Sequence, residues 1–217
     1  MSTPRSGLRP ARPPRGSGKV AKQHFLESPE FNAVAALVPA GARVLDLGCG
    51  DGAMLAHLRD RKGCSGYGVE IDDANVLACA QRGVNVIQLN LEEGLALFGD
   101  HSFDVVLQLQ TLQHLRNTEK MLLETARIGR IGIVSFPNFA HWPNRFAVFR
   151  GRMPVTKTLP YEWYDTPNIR VGSHADFEVL ARRNGLTVLD SFGLQDGRVV
   201  RRWPNLRASV AVFKIQR

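Results

Sequence analysis

The sequence predicts an α/β fold, a doubly wound, mostly parallel sheet with an antiparallel hairpin at its C-terminal edge. Three observations carry that expectation. Short continuous apolar runs alternate with segments of helical period from about residue 27 to residue 136, the pattern of strands covered on both faces by crossover helices. The first run stops in a glycine-rich turn, Asp46-Leu47-Gly48-Cys49-Gly50-Asp51-Gly52, where sheets of this kind open toward ligands. The last two strand-like runs, 186–194 and 208–215, have only a polar connection between them, containing Gly197 and Pro204. Strands joined without a crossover pair antiparallel.

The elements follow in order. Phe31, Val34, Ala35 and Val38 fall at helical spacing, and Pro39-Ala40-Gly41 stops that helix. Residues 44–47 form the first strand, and the helix after the glycine turn carries Leu55 and Leu58 on one face. Residues 67–71 read as the second strand, 72–81 as a helix closed near Gly83, and 84–89 as the third strand. Residues 103–109 make the fourth strand; Met121, Leu122, Thr125 and Ile128 mark the next helix face; 131–136 make the fifth strand, cut by Pro137. Segment 151–171 breaks the rhythm with Pro154, Pro160 and Pro167 and the aromatics Tyr161, Trp163 and Tyr164. It follows the fifth strand on the ligand side of the sheet, so it reads as a lid or partner-binding insertion. A packed excursion whose aromatics cover the sheet fits the same residues.

With 217 residues, 44% hydrophobic and 22% charged, the chain suits one domain over 25–217. No apolar run approaches membrane-spanning length and no secretory core is readable. Cys49, Cys64 and Cys79 contain no C-x-x-C pair, which argues against a disulfide framework and a zinc ribbon and fits a reducing cytoplasm. The net charge of +8 belongs mainly to a tail, residues 1–24. Arg5, Arg9, Arg12, Arg15, Lys19 and Lys22 lie there with no acid, whereas residues 23–217 carry 22 basic and 20 acidic side chains. With Pro4, Pro10, Pro13 and Pro14 as well, the tail is expected to be disordered. Phosphate attraction would be its functional use; a solvated extension is the simpler reading, and nucleic acid is not an expected partner.

Gly48, Gly50 and Ala53 fit the degenerate dinucleotide fingerprint G-x-G-x-x-A. Asp46 and Asp51 argue against a dinucleotide, because a diphosphate at that helix start would meet both carboxylates. A cationic ligand without phosphate is favoured, and S-adenosylmethionine has that character. Glu70, 20 residues after Gly50, could accept from two ribose hydroxyls, although NAD sites use the same device. Ile71 would flank the adenine, Asn90 would meet its amino group, and Leu91 would offer a backbone donor. Cys49 in the loop and Gln108 late in the fourth strand complete the expected cofactor set. An acid at such a position can instead cap a helix, as Asp72 is expected to do.

Here the motifs become familiar. VLDLGCGDG and GVEID resemble the class I S-adenosylmethionine-dependent methyltransferases. VIQLNLEEGL, FDVVLQLQTLQHL, VSFPNFAHW and GRMPVTKTLPYEWYDTPNIR resemble the MetW family of methionine biosynthesis proteins, over about residues 25–217. The resemblance implies the seven-stranded, Rossmann-like methyltransferase sheet. It also implies S-adenosylmethionine or S-adenosylhomocysteine held at Asp46, Gly48, Gly50, Glu70 and the position of Asn90. By the same resemblance the chain acts in methionine biosynthesis beside homoserine O-acyltransferase. Relatives often have Asp where this chain has Asn90, but an amide oxygen can still accept from the adenine amino group.

Methyl transfer from a sulfonium needs alignment and exclusion of water more than protein chemistry. A general base is required only if the acceptor must lose a proton. His114, just beyond the fourth strand, is the best-placed candidate, with Tyr161, Tyr164 and His141 weaker ones on the same rim. The Asn/Asp-Pro-Pro-Tyr/Phe turn of amide and nucleobase methylation is replaced by Leu109-Gln110-Thr111-Leu112; Phe136-Pro137-Asn138-Phe139 follows the fifth strand instead. There is no G-x-S-x-G elbow, and the six histidines lack metal-ligand spacing. Two functions remain open: a methyltransferase with a small-molecule acceptor under 151–171, and a non-catalytic regulator of the acyltransferase.

Overall fold

A computed structural model describes residues 29–217, so the tail expectations lie outside the described residues. Its strands are β1 (Arg43–Leu47), β2 (Ser65–Glu70), β3 (Val86–Gln88), β4 (Phe103–Leu109), β5 (Gly129–Pro137), β6 (Thr187–Gln195), β7 (Arg198–Val200) and β8 (Val210–Gln216). The helices are α1 (Pro29–Ala36), α2 (Ala53–Lys62), α3 (Asp73–Gln81), α4 (Thr118–Ile128), α5 (Trp142–Phe149), α6 (His174–Arg183) and α7 (Pro204–Arg207). The strands form one sheet in the order β3-β2-β1-β4-β5-β8-β6-β7. β1 to β5 pair parallel, β8 runs antiparallel between β5 and β6, and β7 pairs antiparallel with β6.

The central strands are continuously apolar because both faces are covered. On one face Val44, Val105, Leu107 and Ile133 pack with Phe31, Val34, Leu55 and Leu58. On the other, Leu45, Leu47 and Val106 pack with Leu91, Met121 and Ile128. Under α6, Phe136, Phe177 and Phe213 form a third cluster, with the Phe177 and Phe213 rings 4.3 Å apart. The strand order reverses between β1 and β4, which puts a ligand crevice at their C-terminal ends.

The sheet has eight strands where seven were expected. The extra one, β7, lies inside the polar connection and pairs Gln195 with Arg198 across Asp196-Gly197. Both turn residues have positive φ, 45° and 78°, the type I′ hairpin signature of Asp-Gly. That dipeptide was the legible signal; a three-residue strand is too short for periodicity. Helices α5 and α6 also went unread. α6 begins at an N-cap, Ser173, whose hydroxyl accepts from the Asp176 N–H at 3.1 Å, and it buries Phe177 and Ala181. Segment 151–171 contains no helix or strand. No helix among the described residues is long and apolar enough to cross a membrane.

Candidate functional site

The glycine turn leaves β1 with Gly48, Gly50 and Gly52 at φ 74°, 61° and 75°, a region that costs other residues about 1–2 kcal/mol. The Gly48 and Cys49 N–H groups donate to the Val69 carbonyl at 2.8 and 3.0 Å, tying the turn to β2. One oxygen of the Glu70 carboxylate accepts from the Gly50 N–H at 2.8 Å. The other accepts from Ile71 and Asp72 at 2.9 and 3.1 Å. Glu70, 8% exposed, therefore clamps the turn to the start of α3. Three N–H groups fill three of the carboxylate's roughly four acceptor sites and leave room on the oxygen bonded to Gly50.

The electrostatics differ from the sequence expectation at one carboxylate. Asp51 is held by the Arg82 guanidinium at 2.7 Å and also accepts from Ala53, so much of its charge is neutralised. Asp46 and Glu70 are the buried carboxylates that remain at the crevice. Asp72 caps α3 through the Asn75 N–H at 3.0 Å, as expected.

Ile71 is 59% exposed beside Glu70 and offers an apolar wall at the crevice. The Glu70↔Gln88 register brings Asn90 to the neighbouring strand tip. There its side-chain oxygen accepts from the Glu92 N–H at 3.1 Å, capping a single 3₁₀ turn, Leu91–Glu93. The Leu91 side chain is in the core. Cys49 also turns inward: its sulfur lies 3.7 Å from that of Cys79, and a Cβ on Gly68 would stand 2.4 Å from it. Only the Cys49 backbone is left to border the crevice. Gln108 is fully buried within β4, and neither end of its amide has a hydrogen-bond partner.

At the tip of β4 stand two residues the sequence reading missed. Gln110 has φ 53°, unusual for a residue with a Cβ, and its amide nitrogen is buried without a partner. Gln113 donates to the Gln110 carbonyl at 3.1 Å. The run Gln108, Gln110, Gln113 in an otherwise apolar strand end was the available signal; the left-handed backbone was not.

Segment 151–171 is latched onto this tip. The Gln113 carbonyl accepts from Ile169 and Arg170, both at 3.0 Å, and the Arg170 guanidinium donates to the Arg116 carbonyl at 2.7 Å. His114 places Nδ1 3.1 Å from the Pro167 carbonyl, so Nδ1 carries the proton and Nε2 is the basic atom. Beneath the latch is a cavity of about 490 Å³ lined by Leu112, Gln113, Phe136, Phe139, Arg170 and Phe177. Tyr161 is half-buried; Tyr164 is exposed, its ring edge-on to Trp163. His141 is buried, and loss of solvent pushes its pKa down. Among the described residues no cluster of His, Cys, Asp or Glu could hold a metal ion.

The strand tips thus bring together a buried carboxylate in Glu70, an exposed apolar side chain in Ile71 and an unpartnered buried side-chain amide nitrogen in Gln110. Residues 28–215 match the family model described as methionine biosynthesis protein MetW. A bifunctional methionine biosynthesis protein MetXA/MetW of Rhodopirellula baltica is 37% identical over 199 residues, 85% of this chain and 32% of that protein. The chain thus spans about a third of that relative's length. A SAM-dependent methyltransferase of Thermotoga maritima, a possible histamine N-methyltransferase, shares the fold with TM-score 0.65, 20% identity and 91% of each chain covered. The [4+2]-cyclase SpnF shares it with TM-score 0.64 and 16% identity, over 95% of this chain and 85% of that one.

Proposed function

Because the chain belongs to the MetW family, we propose that it binds S-adenosylmethionine or S-adenosylhomocysteine and acts in methionine biosynthesis beside homoserine O-acyltransferase. The observation that carries the cofactor reading is the Glu70 carboxylate, fixed between the glycine turn and α3 with Ile71 exposed next to it. Glu70 accepts from the ribose through the oxygen bonded to Gly50, Ile71 covers the adenine, and Asn90 with the Leu91 backbone reads its edge. The Gly48 and Gly50 backbone borders the amino-acid end, and buried Asp46 sets the negative potential that favours a cation. S-adenosylmethionine supplies an electrophilic methyl group when bound; S-adenosylhomocysteine is the same nucleoside without it.

The Rhodopirellula relative, whose name joins MetXA and MetW in one chain, supports the partnership. Methyl transfer is a second reading, favoured by the His114 tautomer and by the cavity under the latch. A [4+2]-cyclase on this fold cautions against inferring chemistry from the sheet. In the catalytic reading the latch excludes water and His114 takes a proton from an acceptor that must lose one.

Calorimetry tests the cofactor site. Glu70→Ala is expected to weaken S-adenosylmethionine binding by about 1–3 kcal/mol, with Glu70→Gln intermediate, since one oxygen acceptor remains. Unchanged affinity in both would remove Glu70 from the site, and tight NAD binding with no S-adenosylmethionine binding would overturn the reading. Labelled S-adenosylmethionine, incubated with candidate acceptors and with or without the acyltransferase, separates turnover from regulation. Altered acyltransferase activity without methyl transfer supports the regulator.

A further inference from the structure

Helix α5 exposes the apolar surface that other helices of this fold bury. Trp142, Phe146 and Phe149 stand at i, i+4 and i+7 on one stripe, and are 58%, 54% and 87% exposed. Beside the stripe, Val148 and Phe149 share a groove of about 550 Å³ with Phe139 and Val171. Phe139 and Val171 also wall the cavity beneath the latch, so the groove adjoins a pocket that can take an apolar side chain. Patches of this kind mark interaction surfaces.

Basic side chains outnumber acidic ones around the patch, although Asp176 also lines the groove. Residues 138–172 carry Arg145, Arg150, Arg152, Lys157 and Arg170 against Glu162 and Asp165. Among the described residues, Lys157 is the one of these five cations with a carboxylate in ion-pair range, Asp196 at 3.9 Å. Two possible occupants meet this rim with the wrong sign. The tail 1–22 has six cations and no acid, and a second copy would set one basic rim against another. A surface with carboxylates around a protruding apolar anchor satisfies groove and rim together.

We propose that this face docks homoserine O-acyltransferase, an assignment that rests on the partnership proposed above. An apolar anchor of the acyltransferase seats between α5 and Val171, and carboxylates around it meet Arg145, Arg150 and Arg152. The linked modules of the Rhodopirellula relative would hold such a contact by a covalent tether.

Photocrosslinking tests the face in the full chain. Phe149 is replaced by p-benzoylphenylalanine and irradiated with and without purified acyltransferase, alongside binding titrations of wild type, Phe149→Glu and the double variant Arg150→Glu/Arg152→Glu. The crosslink is expected on the acyltransferase. Both variants should bind at least about tenfold more weakly, with unchanged thermal midpoints, and added salt should weaken the wild type. If the wild type binds and Phe149→Glu binds equally well, the face is wrong and the partnership stands. If the wild type shows no binding at about 50 μM, the partnership falls and the face with it. A crosslink to a second copy or to the tail assigns the face to that occupant and overturns the proposal.

Discussion

Asn138 joins three stretches of chain with one side chain. Its amide nitrogen donates to the carbonyls of Asn205 and Ala208 at 3.0 and 2.8 Å, and its oxygen accepts from Ala140 and His174 at 3.2 and 3.3 Å. Buried groups that lose a partner are costly, so Asn138→Ala is expected to lower stability by about 2–4 kcal/mol in urea titrations. The role is invisible in VSFPNFAHW because the acceptors lie 67 and 70 residues away. Glu70 and the glycine turn were legible for the opposite reason: their chemistry lies in residue type and short spacing. Asp51 shows the limit of that logic. It reads as a bare acid in the turn until Arg82, 31 residues on, neutralises it.

Among elements, α4 was legible through its buried face, Met121, Leu122, Thr125 and Ile128. Helix α5 was not, because its large apolar residues point outward. The end of α4 is fastened by Arg127, which holds Glu124 through two nitrogens at 2.8 and 2.7 Å. The same guanidinium donates to the Phe98 carbonyl at 2.9 Å and to Asp100 at 2.7 Å, and Glu124 foremost raises its pKa. Arg127→Ala is expected to cost about 1–3 kcal/mol, and Arg127→Lys nearly as much, since an ammonium lacks the planar fork. Asp100→Ala should cost under about 0.5 kcal/mol, because that carboxylate is exposed. Chemical denaturation of the three variants checks the ranking.

For the molecule as a whole, two buried histidines set how stability responds to mild acid. Desolvation lowers the pKa of His141 and of His174, below an ordinary value of 6.5. The unfolded chain therefore binds more protons as pH falls through that value, and stability drops with it. Asp60, Glu124 and Asp190, held down by Arg59, Arg127 and Arg201, lose their contribution only in stronger acid, as pH falls below their ordinary range near 4. The histidines thus contribute a loss between about pH 7.5 and about pH 5.5. His174→Phe, beside the Phe213 ring at 4.5 Å, should shrink it in paired urea titrations; an unchanged loss would clear His174 of that role. The parallel half of the sheet and its crevice were readable at this scale because period and burial coincide. The groove that Val171 shares with α5 was not, because it depends on how an aperiodic segment returns to the sheet.

The last of the described strands, β8, fills a slot between β5 and β6 rather than extending the rim. On the ribosome, a nascent polypeptide that has emerged through β7 therefore still has a gap in the middle of its sheet. Two unsatisfied strand edges face that gap, and Phe136 and Phe177 await Phe213. Final consolidation must wait for β8 to emerge and thread inward, and until then the half-built sheet is the state chaperones must shield.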